Sequence, residues 1–336
     1  MEIINLDNCE FSRKNGTYGG AAGNKDGVIY NGKFWLIKYP KNIIGLERTG
    51  EASYSTSPLS EYLGSHIFDI LGYDVHETML AARAGKIVVA CKDFAIEDDL
   101  IEIRTIKNHA NGELAQLLEE DFSSTGSDHV VALKELLLHL NNNTILKNVE
   151  GIKERFWEQA IVDIFINNND RNNGNWGILR SRVSEEKDRL APVFDNGGSF
   201  QTKISEDKIE KLLKDTELLK RNASNTQTAY GVDGHALSAT KLLDMYKDNK
   251  ELGSAIKKVV PIIKNNMDRI SSFIMDIPEN FTFDDGRSVT VCSKQRKKVF
   301  LLQLQARLDN LLLPYYQEVL GKTEDTQILQ TRHHSR

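Results

Sequence analysis

The stretch NNNDRNNGNWG, residues 167–177, holds six asparagines, one aspartate and one arginine, and runs directly into an apolar segment. Asp170 and Asn175 stand five residues apart in it. That is the spacing at which one loop carries a carboxylate to accept a hydroxyl proton and a carboxamide to bind a metal ion in phosphoryl transfer. Taken alone, the segment also fits an ordinary polar turn, because this chain carries another asparagine run at Asn141–Asn143. A calcium loop fails. Anchored at Asn168, it puts Asn173 where the sharp-turn glycine belongs and Leu179 where the bidentate glutamate belongs.

The residues C-terminal to this loop favour the chemical reading. NWGILR and RLAPVFD are short strand candidates joined by the polar SRVSEEKD. Folded as an antiparallel hairpin, they place the start of the first beside the end of the second. Asp195, followed by Gly197 and Gly198, would then lie beside Asp170 and Asn175. Two carboxylates and a carboxamide supply the hard oxygen ligands that Mg²⁺ takes alongside phosphate and water.

An ATP site needs further parts upstream. NGTYGGAAGNK, residues 15–25, is a Gly-rich loop before a strand, and such backbone approaches phosphate oxygens closely. Lys38 sits in the apolar FWLIKYP, where a buried ammonium is costly without an anion; it either reaches the surface or pairs with phosphate. Glu61, within a helical segment, has the place of a carboxylate that would orient Lys38, although any exposed helix glutamate reads the same. The order of Gly-rich loop, strand lysine, helix glutamate, apolar strand, D-x-x-x-x-N loop and strand-terminal aspartate is that of a bilobal kinase.

These parts need elements to hold them. GVIYNGKFWLIKYP alternates around Asn31-Gly32, a strong hairpin signal. SPLSEYLGSHIFDILG (57–72) has helical apolar spacing, with Ser57 as N-cap, Pro58 at the first helical position and Gly72 as stop. AGKIVVACKDF (84–94) reads as a buried strand. Beyond it the pattern turns helical: VVALKELLLHL, NVEGIKERFWEQAIVDIFI, EDKIEKLLKDTELLKRN, HALSATKLLDMYK, a segment around Pro261 that the proline should kink or divide, and SKQRKKVFLLQLQARLDNLLLPYYQEVL. FSSTGSD (122–128) is a loop. The expected fold is α+β and bilobal, protein-kinase-like. It has a small sheet-rich N-lobe over 1–94, a larger mainly helical C-lobe over 95–322, and a polar flexible tail over 323–336.

The chain has 336 residues, 40% of them hydrophobic, enough for such a core. A formal net charge of −5 argues against a nucleic-acid partner, and no window reaches the length of a membrane span. Cys9, Cys91 and Cys292 show no metal or disulfide spacing and read as reduced thiols of a cytoplasmic protein. The start lacks the pattern of a cleavable signal peptide, so any export would use another route. SKQRKKVF (293–300) is the one compact basic run, and it reads as a helix surface rather than a membrane contact.

On GGAAGNK, FWLIKYP, LSEYLGSHI, VVACKDF, DRNNGNWG and PVFDNGGSF, residues 19–200, the chain resembles the HipA-like kinases, most closely their CtkA-type serine/threonine kinases. The resemblance implies an ATP- and Mg²⁺-dependent kinase of the toxin or effector type, autophosphorylating and acting on Ser or Thr of a protein substrate. It also implies an antitoxin or other regulatory protein as partner. Asp170 would be the catalytic base, Asn175 and Asp195 the Mg²⁺ ligands, and Lys38 the phosphate contact. Gly20, Ala21, Ala22, Gly23, Asn24 and Lys25 would close over the phosphates, and the backbone from Cys91 to Asp93 would face adenine. One departure is Asn172, where many relatives carry histidine; asparagine keeps a loop hydrogen bond but no charge. The D-R-x-x-x-N and F-D-x-G-x-S pattern is shared in outline with phosphoinositide kinases. A lipid or small-molecule kinase, and a nucleotide-binding pseudokinase regulator, are the competing readings.

Overall fold

The computed structural model describes residues 1–15, 25–41, 55–122, 130–183 and 185–322. The N-terminal portion is a five-stranded sheet of β1 (Ile4–Asn5), β2 (Lys25–Tyr30), β3 (Lys33–Lys38), β4 (Thr78–Arg83) and β5 (Lys86–Lys92), in the order β1-β4-β5-β3-β2. β1 runs parallel to β4, and the other neighbours are antiparallel. The turn between β2 and β3 is Asn31-Gly32, both at positive φ (49° and 69°). Two left-handed residues make the turn whose twist matches that of the strands.

Alternation along the strands splits this sheet into two apolar faces. Val28, Trp35, Ile37, Val88 and Ala90 form one cluster, while Val89 and Cys91 join the main core with Leu59, Leu63 and Ile67. The latter three belong to α1 (Ser57–Ile70), which covers the sheet. Register decides which side the polar residues take. Lys38 pairs with Val89 and with Lys25, and Leu36 with Cys91, so Lys25 and Lys38 share the α1-facing side.

α1 departs from expectation at its start. Thr56 caps it without a side-chain bond, Pro58 is its second residue, and the Ser57 hydroxyl lies 3.0 Å from that of Ser55. Its end agrees with the sequence: Gly72 at φ 87° donates to the Asp69 carbonyl and Tyr73 N–H to that of Phe68. Only a left-handed residue permits that pair of bonds, and the Phe68 and Tyr73 rings meet edge-on across it.

The C-terminal portion starts with β6 (Asp98–Glu102), α2 (Ile103–Leu118), β7 (Val131–Ala132), α3 (Leu133–Asn142), α4 (Ile152–Ile166), β8 (Gly177–Ser181) and β9 (Arg189–Leu190). It continues with α5 (Glu206–Lys214), α6 (Thr216–Ser224), β10 (Gln227–Val232), β11 (His235–Ser238), α7 (Ala239–Met245), α8 (Lys250–Asp276), β12 (Asn280–Thr282), β13 (Ser288–Thr290) and α9 (Lys294–Arg307). From Phe156 to Ile166 every residue of α4 is buried, so this helix is the axis of the core and packs against α8.

Three expectations change here. EDKIEKLLKDTELLKRN is two helices, because the Asp215 carboxylate accepts from Leu218 N–H and starts α6. HALS is a strand preceding α7. Pro261 lies inside α8 without dividing it, since Ile256, Val259, Val260 and Ile263 keep the helix in the core on both sides of the missing N–H. Half of the basic run faces inward: Arg296 pairs with Glu206 and bonds the Ile204 carbonyl, and Lys297 bonds the carbonyls of Met275 and Ile277. Among the described residues no helix is long and apolar enough to cross a membrane. Residues 123–129 and 323–336, which hold the expected loop and tail, lie outside the described residues.

Candidate active site

α4 ends at Asn167, whose φ of 55° turns the chain out of the helix. Asparagine tolerates that left-handed conformation better than most residues. The loop beyond it is clamped back onto α4. Asn168 donates its side-chain amide to Asp163 Oδ1 (3.1 Å), and its backbone N–H bonds the Asp163 carbonyl (2.8 Å). Arg171 folds under the loop and grips Asp163 with Nε (2.9 Å) and Nη2 (3.0 Å). The same guanidinium bonds the carbonyls of Asn175, Phe194 and Asp195 and the side-chain oxygen of Asn196. Both charged side chains are fully buried. Burial works against the Arg171 charge, but Asp163 holds the guanidinium above its ordinary value. Burial raises the Asp163 carboxyl in turn, and Arg171 offsets only part of that.

Above this clamp lies Asp170, half buried, with its N–H on Asn168 Oδ1 (3.2 Å). Asn172 Nδ2 is 3.3 Å from Asp170 Oδ1, and Asn172 Oδ1 accepts from Gly174 N–H at 2.8 Å. Asn175 donates Nδ2 to the Asp170 carbonyl. Its Oδ1 therefore points away from that bond and takes no hydrogen bond from the described side chains and backbone.

Asp195 reaches this loop by a route partly different from the expected hairpin. β8 and β9 do pair antiparallel, Ile178 opposite Leu190 and Leu179 opposite Arg189, and Ala191 N–H makes the last rung to the Gly177 carbonyl. Pro192 has no N–H to continue the ladder. Val193 instead bridges Val75 in parallel, and its backbone exchanges bonds with Asp74 and His76. The Arg171 bonds to Phe194 and Asp195 then bring the strand end to the loop. Asp195 itself adopts φ 57°, a conformation rarely held by a residue with a side chain. Gly197 and Gly198 pass between Glu61 and Asp170. A Cβ on Gly198 would stand 2.7 Å from both Asn168 Oδ1 and Asp170 Cβ, so only glycine allows that approach.

Lys38 joins the two portions. Its Nζ lies 2.7 Å from Glu61 Oε2 and 3.0 Å from Asp195 Oδ1. Burial would lower this lysine, but Asp195 and Glu61 outweigh it and hold the ammonium well above its ordinary range. Burial likewise raises Glu61, yet Lys38 and His76 hold it far below the usual carboxylate range. Lys25, across the β-ladder from Lys38, is lowered by burial and then by the Lys38 charge. The Asp195 side chain keeps 39% of its surface exposed, against 1% for Glu61.

The Cys91 thiol lies within 4.8 Å of a Glu61 carboxylate oxygen and a His76 ring nitrogen, whereas Asp93 is engaged elsewhere. That thiol is buried and raised by the burial. Asp93 holds Lys14 (2.6 Å) with its carboxylate, while its N–H bonds the Phe34 carbonyl. Gly20, Ala21, Ala22, Gly23 and Asn24 lie outside the described residues. Sequence reasoning missed Asp163, Ser65, His76 and Asn196, all buried around the site. Nothing in their spacing marks them; Arg171 alone had a signal, in its place beside Asp170.

No family model matches the chain. Over 284 residues it is 30% identical to the serine/threonine-protein kinase CtkA of Helicobacter pylori strain J99, an alignment covering 83% of this chain and 80% of that protein. The chain belongs to the HipA-like kinases. As a member of that family it has protein kinase activity, and its fold agrees throughout. The crystal structure of the H. pylori proinflammatory kinase CtkA superposes with a TM-score of 0.77 at 27% identity, covering 95% of this chain and 98% of that one. HipA from the Shewanella oneidensis MR-1 toxin–antitoxin complex with HipB and operator DNA shares the fold more distantly. Its TM-score is 0.52 at 13% identity, over 90% of this chain and 66% of that one. This HipA-like kinase thus has the sheet-rich N-terminal and helical C-terminal portions of its relatives.

Proposed function

We propose that this kinase transfers the γ-phosphoryl group of ATP, with Mg²⁺, to a Ser or Thr hydroxyl of a protein, its own chain included. The observation that carries the reading is Lys38, held by Glu61 at 2.7 Å and by Asp195 at 3.0 Å. An ammonium fixed between an orienting carboxylate and a half-exposed one is the arrangement that receives phosphate oxygens beside a metal ligand. The nucleotide would lie between the portions 1–94 and 95–322, with Lys25 and the 20–24 loop over its phosphates and the backbone from Cys91 to Asp93 toward adenine.

The donor set fits Mg²⁺. Asp195 offers a partly exposed carboxylate and Asn175 a side-chain oxygen left over when its Nδ2 bonds the Asp170 carbonyl, both hard oxygen donors. When bound there, the ion would neutralise charge on the phosphates. The chain's own groups do the rest. Lys38 binds phosphate oxygens, Asp170 takes the proton of the acceptor hydroxyl, and Arg171 ties the Asp170 loop to the strand end that carries Asp195. By analogy with the HipA–HipB complex, a regulatory protein is the expected partner.

Asp170→Ala tests the assignment. With γ-labelled ATP, transfer to protein should fall by roughly 10²-fold or more, while ATP binding measured by calorimetry stays within a few-fold of the parent. Near-full transfer by this variant would exclude Asp170 as the base.

A further inference from the structure

We infer that His76 is a positioning residue of the phosphate site: its imidazole holds the Glu61 carboxylate in the orientation that aims Lys38. The inference rests on the reading of Lys38 and Glu61 given above and adds the group that sets their geometry.

The two oxygens of Glu61 are divided. Oε2 faces Lys38 at 2.7 Å, and Oε1 accepts from His76 Nε2 (3.0 Å) and from the Asn196 backbone N–H (2.9 Å). A buried ionised carboxylate can only accept, so Nε2 carries the hydrogen. The same nitrogen lies 3.0 Å from Ser65 Oγ, which accepts from Asn196 Nδ2 at 3.0 Å. Asn196 Oδ1 in turn accepts from Arg171. Glu61, Ser65, His76, Asn196 and Arg171 are all at most 5% exposed. Water does not replace these bonds, so losing one leaves a polar group unpaired.

His76 differs from the other members in where its backbone is tied. Its N–H bonds the Val193 carbonyl at 3.0 Å, two residues before Asp195. The imidazole therefore moves with the strand that delivers Asp195, and through Glu61 it fixes Lys38 relative to that acid. Glu61 has three rotatable side-chain torsions. Without His76, the Asn196 backbone N–H is the one donor left on its Oε1 side among the described residues to oppose its swing away from Lys38. The ammonium would then be left on Asp195, its remaining partner, and would be lost to the phosphates.

The test compares His76→Leu, which removes the donor, with His76→Gln, whose amide nitrogen occupies the place of Nε2. Steady-state kinetics should show the KM for ATP raised about tenfold or more in His76→Leu. In His76→Gln it should return to within about threefold of the parent, at similar melting temperatures for the two variants. Parent-like KM in both variants overturns the proposal. Equal impairment of both, in step with lost melting temperature, also overturns it and leaves His76 as packing only. Lys38→Met measured alongside separates the underlying reading. If that variant binds ATP as the parent does, Lys38 is not a phosphate ligand and the proposal falls with it. If Lys38→Met loses binding while His76→Leu does not, the positioning role alone fails.

Discussion

Replacing Lys38 with methionine should cost more than a ligand contact. Glu61 is 1% exposed in its side chain and has three donors: Lys38, His76 and the Asn196 N–H. Methionine keeps the apolar stem and leaves a buried carboxylate with two donors, His76 and the Asn196 N–H. Removing one partner of a buried pair costs about 3–5 kcal/mol. The two remaining bonds, and the 18% exposure of the Lys38 side chain, put the expected loss at the lower end, about 3 kcal/mol. Adding Glu61→Gln removes the stranded charge and keeps an oxygen for His76 and Asn196. About 2 kcal/mol should return in the double variant, although neither variant would bind phosphate.

Urea unfolding at several pH values supplies the decisive signature. In the parent, Glu61 lies below its ordinary value of 4.5, so its stabilisation is present above about that pH and drains away in more acid solution. In Lys38→Met the burial of Glu61 is no longer outweighed, and its pKa should rise above the ordinary value. That variant then gains stability as the pH falls and loses it as the pH climbs through the new value. The gap between parent and variant should therefore narrow from pH 8 to pH 5. A gap below about 1 kcal/mol at pH 7.5, unchanged with pH, would refute the buried-pair reasoning.

Asp195→Asn should lower Mg-ATP affinity and turnover together, because it removes a charged oxygen from the proposed metal ligand set; unchanged affinity by calorimetry would displace that site. A second measurement concerns folding. His139 is fully buried, with Nε2 3.0 Å from Asn111 Oδ1 and Nδ1 facing the Asn143 amide, and burial followed by the Lys107 charge pushes it down to about 4. The unfolded chain takes up that proton near 6.5, so stability should fall as the pH drops from 6.5 toward 4, by about 2 kcal/mol at pH 5. His139→Gln should lack this loss, and parallel pH curves for the two proteins would show that the ring is charged in the fold.

The features legible from sequence were local ones. Asn31-Gly32 names its turn because both residues must be left-handed, and Gly72 ends α1 for the same reason. The order of Lys38, Glu61, Asp170, Asn175 and Asp195 was also visible, since each stands in its own short pattern. The hidden features depend on distant partners. Glu61 looks like any helix glutamate until Asn196, 135 residues later, donates to it. His76 has no pattern at all; it matters because Val193 pairs with the 74–76 segment after Pro192 ends the hairpin. Boundaries such as Asp215 turn on whether one carboxylate caps a helix or faces water, and periodicity does not distinguish these.

The Asn172 departure also takes on a physical meaning once its bonds are known. The residue bridges its own loop, accepting from Gly174 N–H and setting Nδ2 beside Asp170 Oδ1. Those are bonds of position, and a neutral amide makes them. The charge that organises the loop comes from below, where Arg171 is neutralised by Asp163 and directs its remaining donors to Asn175, Phe194, Asp195 and Asn196. A buried guanidinium ties the Asp170 loop to the strand end that carries Asp195, so rigidity at Asp170 does not require a second cation two residues away. Asparagine at 172 is thus compatible with an intact loop, because its side-chain bonds there, from Nδ2 to Asp170 and from Gly174 N–H to Oδ1, need a donor group and an acceptor and no charge.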